Sequence, residues 1–152
     1  MTDLDLALAA GLFEGEGTVR ISRPQPRNWG HLDVSLVNTD REIVDFFQSR
    51  WPARVRLATG LRPAQRQAYV WTIAARQAAA FLEDVRPYVL TTRMKERIRH
   101  GLAFQAQKRM GAGPRTQEYC EDQWNAYWWM AELNKRGRSL AEQQQPREVS
   151  PL

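Results

Sequence analysis

The chain of 152 residues has one cysteine, two histidines and three lysines, and it has no long apolar run. A lone Cys120 excludes an intramolecular disulfide, a CxxC redox pair and a cysteine-built zinc site; it reads as a small core residue and suits a reducing compartment. His31 and His100 stand far apart without partner spacing, which leaves no histidine signature of a metal site. The opening apolar stretch, Leu6 to Phe13, is too short for a membrane span. It follows acidic Asp3 and Asp5 rather than a basic leader, so the expectation is a cytoplasmic chain with no membrane partner.

What is present is an ordinary globular composition with an arginine bias. At 43% apolar and 26% charged residues, the sequence predicts one folded domain over 1–137. A tail over 138–152 carries Gln143-Gln-Gln-Pro146 and almost no apolar group. Twenty-two Lys+Arg oppose 17 Asp+Glu, and since only Lys95, Lys108 and Lys135 are lysines, arginine supplies 19 of the cations. Guanidinium groups match phosphates and guanine edges with paired hydrogen bonds, so a net charge of +5 built this way points toward nucleic acid. A GC-rich genome produces the same bias.

Helical and strand periods alternate along the chain. Asp3-Leu-Asp5 offers an N-cap for a helix over Leu4 to Phe13 that runs into Gly15 and Gly17 as stop signals. This helix is nearly apolar all round, the pattern of burial on most sides, and Ala7, Ala10 and Gly11 let another backbone approach. Thr18 to Ser22 and Leu32 to Val37 alternate with period two and predict a hairpin, its long loop marked by Pro24, Pro26, Asn28 and Gly30. Thr39-Asp-Arg-Glu42 fits a capping box for a helix with Ile43, Phe46 and Phe47 inside, ending near Trp51-Pro52. A second hairpin, Arg54 to Leu57 and Ala68 to Ile73, turns at Gly60 and Pro63; a helix over Ala74 to Arg86 buries Ala78, Phe81, Leu82 and Val85. Thr92 to Met110 reads as a basic helix with Met94, Ile98 and Leu102 inside, closed by Gly111-Ala-Gly-Pro114. A last helix from Thr116 or Gln117 to Lys135 puts Cys120, Trp124, Tyr127, Trp128 and Ala131 on one face, read as core packing, and stops at Gly137. The expected class is α+β: an αββαββα core with an antiparallel four-stranded saddle sheet and additional C-terminal helices.

Three features carry chemistry. In Gly11-Leu-Phe-Glu-Gly-Glu-Gly17 two carboxylates meet the negative end of a helix dipole, an arrangement costing about 0.3–1 kcal/mol per exposed charge, which a hard cation such as Mg²⁺ would offset. Solvated helix-end glutamates with glycine caps are the plain alternative. The outward sheet face would collect Thr18, Arg20, Ser22, Asp33, Ser35, Arg54 and Arg56, with Arg23, Arg27, Arg62 and Arg66 in the hairpin loops. Such a surface can lie in a DNA major groove, or can be simply solvated. The basic stretch from Arg93 to Arg99 could stabilise charge developing on phosphorus, or be a solvated helix face. The acidic motif occurs once, so cutting both strands would need two chains, packed through Ala7, Ala10 and Gly11 so that the two Glu16 side chains meet.

Ala9-Ala-Gly-Leu-Phe-Glu-Gly-Glu-Gly17 resembles the LAGLIDADG motif of homing endonucleases, in the variant ending Gly-Glu-Gly and with Ala9 in place of the first leucine. The order of elements that follows extends the resemblance over about residues 4 to 110, and Glu132-Leu-Asn-Lys-Arg-Gly137 resembles the ending of single-motif members. The resemblance implies a homodimer joined by its motif helices, with Glu16 as the Mg²⁺ ligand near the scissile phosphates and Glu14 capping or bracing the helix end. It implies that Asn38 positions water. Thr92 stands at the usual lysine position, and Arg93 or Lys95 substitutes. The expected function is site-specific, Mg²⁺-dependent hydrolysis of double-stranded DNA, with catalytic Glu16, Asn38, Arg93 and Lys95. A non-catalytic DNA-binding regulator and an RNA-binding splicing factor of the same fold are the alternatives.

Overall fold

A computed structural model describes residues 1–25, 29–59, 66–108 and 116–135. The elements are α1 (Asp3–Glu16), β1 (Gly17–Ile21), β2 (Leu32–Asn38), α2 (Arg41–Arg50), β3 (Arg54–Leu57), β4 (Tyr69–Ala74), α3 (Ala75–Val85), a 3₁₀ turn (Arg86–Tyr88), α4 (Thr92–Ala106) and α5 (Gln117–Asn134). The strands form one antiparallel sheet in the order β1-β2-β4-β3, with Gly17 opposite Leu36, Asn38 opposite Tyr69 and Arg54 opposite Thr72. This is the expected α+β arrangement. The tail, Arg27, Arg62, Gly111 to Pro114 and Gly137 lie outside the described residues.

Strand alternation divides the sheet into two faces. Val19, Ile21, Leu32, Val34, Leu36, Trp71 and Ile73 point inward and are buried, while the polar partners of each strand point the other way. Every helix contributes to the covered side: Phe13 of α1, Phe47 of α2, Phe81 of α3, Ile98 of α4 and Met130 of α5 belong to one core. Phe81 is its hub, with ring centroids 5.0 Å from Phe13, 4.9 Å from Trp51 and 5.3 Å from Trp71. Edge-on aromatic contacts of this kind contribute about 0.5–1.5 kcal/mol each beyond area burial. They fix the end of α1 against the sheet.

The helix ends differ from the sequence reading in informative ways. α1 is capped by Thr2 rather than Asp3 or Asp5: the Thr2 side chain accepts from the Asp5 backbone N–H, and Asp5 accepts in return from the Thr2 N–H. Thr2 completes a capping box, so its hydroxyl satisfies a donor that Asp3 could not reach. The helix also continues through Gly15 to Glu16, because neither glycine adopts a left-handed conformation; Gly17 has φ −87° and starts β1 directly. α2 is capped by Asp40, not Thr39, with Val44 and Phe47 fully inside and Ile43 and Phe46 half-buried. α4 ends at Ala106 rather than Met110 and buries Gly101 and Phe104 where Leu102 was expected. The buried stripe of α5 is Tyr119, Gln123, Met130 and Leu133, not the Cys120 to Ala131 face. A helix rich in aromatics all round satisfies the 3.6-residue period in more than one rotation, and counting tryptophans selects the wrong one. Trp128 is exposed, with Trp124 stacked on it and the Arg23 guanidinium 5.6 Å from the Trp124 ring.

Candidate active site and nucleic-acid interface

The acidic corner forms where α1 passes directly into β1. The two carboxylates of the motif have different fates. Glu14 accepts from the backbone N–H of Leu90 at 2.9 Å, from that of Thr91 at 2.7 Å and from the Thr91 hydroxyl at 2.7 Å. Burial pushes its carboxyl up, but these hydrogen bonds and the nearby Lys95 outweigh that and hold it below the ordinary glutamate range. Glu14 therefore ties the end of α1 to the start of α4, where Thr91 is also the N-cap. Glu16 is exposed, and no hydrogen bond or ion pair engages its carboxylate among the described residues.

Gly17 is set by space. A Cβ there would overlap the Phe13 ring and lie 2.5 Å from the Phe13 carbonyl oxygen. Gly17→Ala is therefore expected to displace Phe13 from the core and lower stability by about 1–3 kcal/mol, read as a lower midpoint in urea unfolding. The helix-to-strand step that aims Glu16 would shift with it.

The cations predicted beside this corner separate. Arg93 donates through Nε to the Leu133 carbonyl at 3.1 Å and through Nη2 to the Lys135 carbonyl, and Arg97 donates to the same Leu133 carbonyl at 3.0 Å. Both clasp the C-terminal end of α5, where cations complement the helix dipole. Lys95 is exposed and lies within electrostatic reach of Glu14. Asn38 closes β2 and accepts from the Asp40 N–H at 2.8 Å. Because Gly17 pairs with Leu36, the end of α1 and the end of β2 share one end of the sheet, which brings Glu16 and Asn38 together there.

The outward face carries Thr18, Arg20, Asp33, Ser35, Arg54 and Arg56 as the alternation predicts, joined by Val37, Val70 and Thr72. A concavity of about 470 Å³ opens between Arg20 on one side and Arg54 and Arg56 on the other, over Ser35, Val70 and Thr72. Arg23 and Arg66 are exposed in the flanking loops. Asp33 is 6% exposed; Arg20 Nη2 donates to its Oδ2 at 3.2 Å and His31 Nε2 lies 3.1 Å from its Oδ1. Ser22 Oγ lies 3.0 Å from His31 Nδ1 and accepts from the His31 N–H at 2.9 Å. Lys108 donates to the Trp29 and Gly30 carbonyls, anchoring the β1–β2 loop to the end of α4. Gly30 has φ +64°, and a Cβ there would lie 2.5 Å from the Ser22 carbonyl oxygen, so this turn admits only glycine without strain. Sequence reasoning missed Lys108 and His31 because their partners are long-range backbone and cross-strand groups.

Of the three small residues predicted for a helix interface, two are exposed on α1 and one is not. Ala7 and Gly11 lie on an exposed stripe of α1 with Leu4, Leu8 and Gly15, whereas Ala10 is 0% exposed and belongs to the chain's own core. A Cβ on Gly11 or Gly15 would meet nothing within 4 Å. The leucines at i and i+4, continued by glycines at i+7 and i+11, are the sequence signal for this exposed stripe. Among the described residues no group of three His, Cys, Asp or Glu side chains could hold a metal, and no helix is long and apolar enough to cross a membrane.

No family model and no curated protein matches the chain. Solved structures do. Homing endonuclease I-CvuI in complex with its target matches with a TM-score of 0.65 at 12% identity, over 90% of this chain and 87% of that one. The fold is that of the homing endonucleases. An archaeal intron-encoded homing endonuclease complexed with DNA gives a TM-score of 0.66 at 12% identity, over 91% of this chain and 89% of that one. The LAGLIDADG homing endonuclease I-GzeII in complex with its DNA target gives 0.58 at 10% identity; there 97% of this chain matches only 50% of the other.

Proposed function

We propose that this chain is a homodimeric, site-specific endonuclease of double-stranded DNA that uses Mg²⁺. The observation that carries the reading is α1 itself. Among the described residues, one helix presents an unpartnered apolar stripe and ends in an unengaged carboxylate, Glu16, beside a sheet face set with arginines. The fold shared with DNA-bound homing endonucleases supports it, as does the match to half of the longer I-GzeII chain.

The residues fit the metal. Mg²⁺ takes hard oxygen ligands and is satisfied by one or two carboxylates with phosphate and water. Glu16 offers such an oxygen without giving up a hydrogen bond, whereas Glu14 is already engaged by three donors. One chain supplies one carboxylate, so Glu16 of each of two copies would hold the cation. When bound, Mg²⁺ supplies Lewis-acid neutralisation of the charge that builds on the phosphate oxygens.

The chain's own groups account for the rest. Arg54 and Arg56 have no carboxylate partner among the described residues and hold phosphates by charge. The Asn38 carboxamide, at the same end of the sheet as Glu16, orients the attacking water by hydrogen bonding. Water adds a hydroxyl to phosphorus in line, the bond to the leaving oxygen breaks, and that oxygen ends protonated. Lys95 is the cation placed to stabilise the departing charge, since Arg93 is occupied at α5.

The occupation of Arg93 also favours a second reading, a DNA-binding regulator that does not cut. Duplexes enriched from a randomised library by the full-length chain, then incubated with Mg²⁺ or with EDTA, separate the two. Metal-dependent double-strand cutting is expected; retained duplex with tight binding would establish the regulator, and no enrichment would overturn both.

A further inference from the structure

We propose that Arg20 reads a guanine, and that Asp33 and His31 are positioning residues that direct it to a base rather than to a phosphate. This rests on the duplex-binding reading above and narrows it to one base edge. Arg20 and Asp33 are cross-strand partners on the outward face. The Asp33 carboxylate is buried and held from two sides, by Arg20 Nη2 on Oδ2 and by His31 Nε2 on Oδ1; His31 is itself fixed through Ser22. A carboxylate so placed supports its neighbour and does not meet a base itself, which reassigns Asp33 from the contact role expected of it.

The Arg20 side chain is 66% exposed, and Asp33 takes one of the five N–H donors of its guanidinium. Four remain for a ligand. Attraction to a phosphate depends on net charge, and a carboxylate 3.2 Å away both offsets the cation and repels the anion. Neutral acceptors carry no such penalty. In the major groove guanine alone presents two acceptors side by side, O6 and N7, in the spacing of the guanidinium fork; adenine pairs one acceptor with a donor, thymine offers one acceptor and cytosine a donor. Arg54 and Arg56 lie on the same face without a carboxylate partner among the described residues, and so keep the phosphate role. In a two-fold dimer the preference falls at two symmetry-related positions of the site.

The test uses full-length chains selected on a randomised duplex library at fixed salt. Wild-type chains are expected to enrich guanine at such a position. Arg20→Ala, a change at an exposed side chain, is expected to lose that preference by about ten- to a hundredfold while leaving other positions unchanged. Asp33→Asn is expected to relax the same position and also to bind random duplex more tightly with a steeper salt dependence, because the released guanidinium becomes a phosphate ligand. Arg20→Ala that retains every base preference, or weakens all sequences alike with a shallower salt slope, overturns the proposal. If wild-type chains enrich no duplex, the binding reading itself fails, and this inference falls with it.

Discussion

Glu16→Gln is expected to leave the chain folded and bound to its duplex while cutting falls by about a thousandfold. The substitution preserves shape at an exposed side chain that makes no hydrogen bond among the described residues, so stability should move by no more than about 0.5 kcal/mol. What disappears is negative charge. An amide oxygen is a poor ligand for Mg²⁺, and a loss of about 4 kcal/mol of transition-state stabilisation corresponds to three orders of magnitude in rate. Glu14→Gln should behave differently, lowering the thermal midpoint, because Glu14 is bonded to Leu90 and Thr91. Single-turnover cleavage of an enriched duplex, with unfolding curves on the same samples, reads both effects. Equal rates for wild type and Glu16→Gln would remove Glu16 from the mechanism.

Leu8→Arg is expected to dissociate the proposed dimer and stop double-strand cutting. Leu8 is 51% exposed in a single chain, so arginine fits the isolated fold, but at a two-fold contact it sets two like charges near each other without water to screen them. Each copy also loses an apolar anchor, so the dimer should weaken at least about a hundredfold. Light scattering should fall from twice 17.6 kDa to 17.6 kDa. The contrast with Ala10 sharpens the result: Ala10→Leu should instead overpack the chain's own core and lower stability by about 1–3 kcal/mol. A wild-type chain that is monomeric when bound to cut duplex would refute the shared site.

The sheet was legible from sequence because strand alternation has a period of two and one buried face. Once Val19 and Ile21 point inward, Arg20 must point out, and Arg54 and Arg56 follow in the partner hairpin. Helix rotation was legible only where apolar residues form one stripe. α3 does so, and its buried residues are those predicted. α1 and α5 are apolar or aromatic on several sides, so Ala10 was placed on the outer surface and Trp128 in the core, the reverse of their positions. The role of Glu14 as a brace followed from the motif resemblance, but its partners Leu90 and Thr91, 76 and 77 residues away, leave no trace in local pattern. Arg93 shows the same limit. A basic run cannot reveal which guanidinium a distant helix end will take.

That helix end has a consequence for the sheet. β1 and β3 are the two outer strands, and they are guarded by different means. β3 has only four residues and displays Arg54 and Arg56, which discourage another strand from adding. β1 instead meets α5, whose Asn134 amide donates to the Val19 carbonyl at 2.9 Å while Arg93 and Arg97 secure the helix at Leu133. α5 thus works as a cover strip along an otherwise sticky border. The sheet face proposed to meet DNA stays bare because the flank beside it is closed.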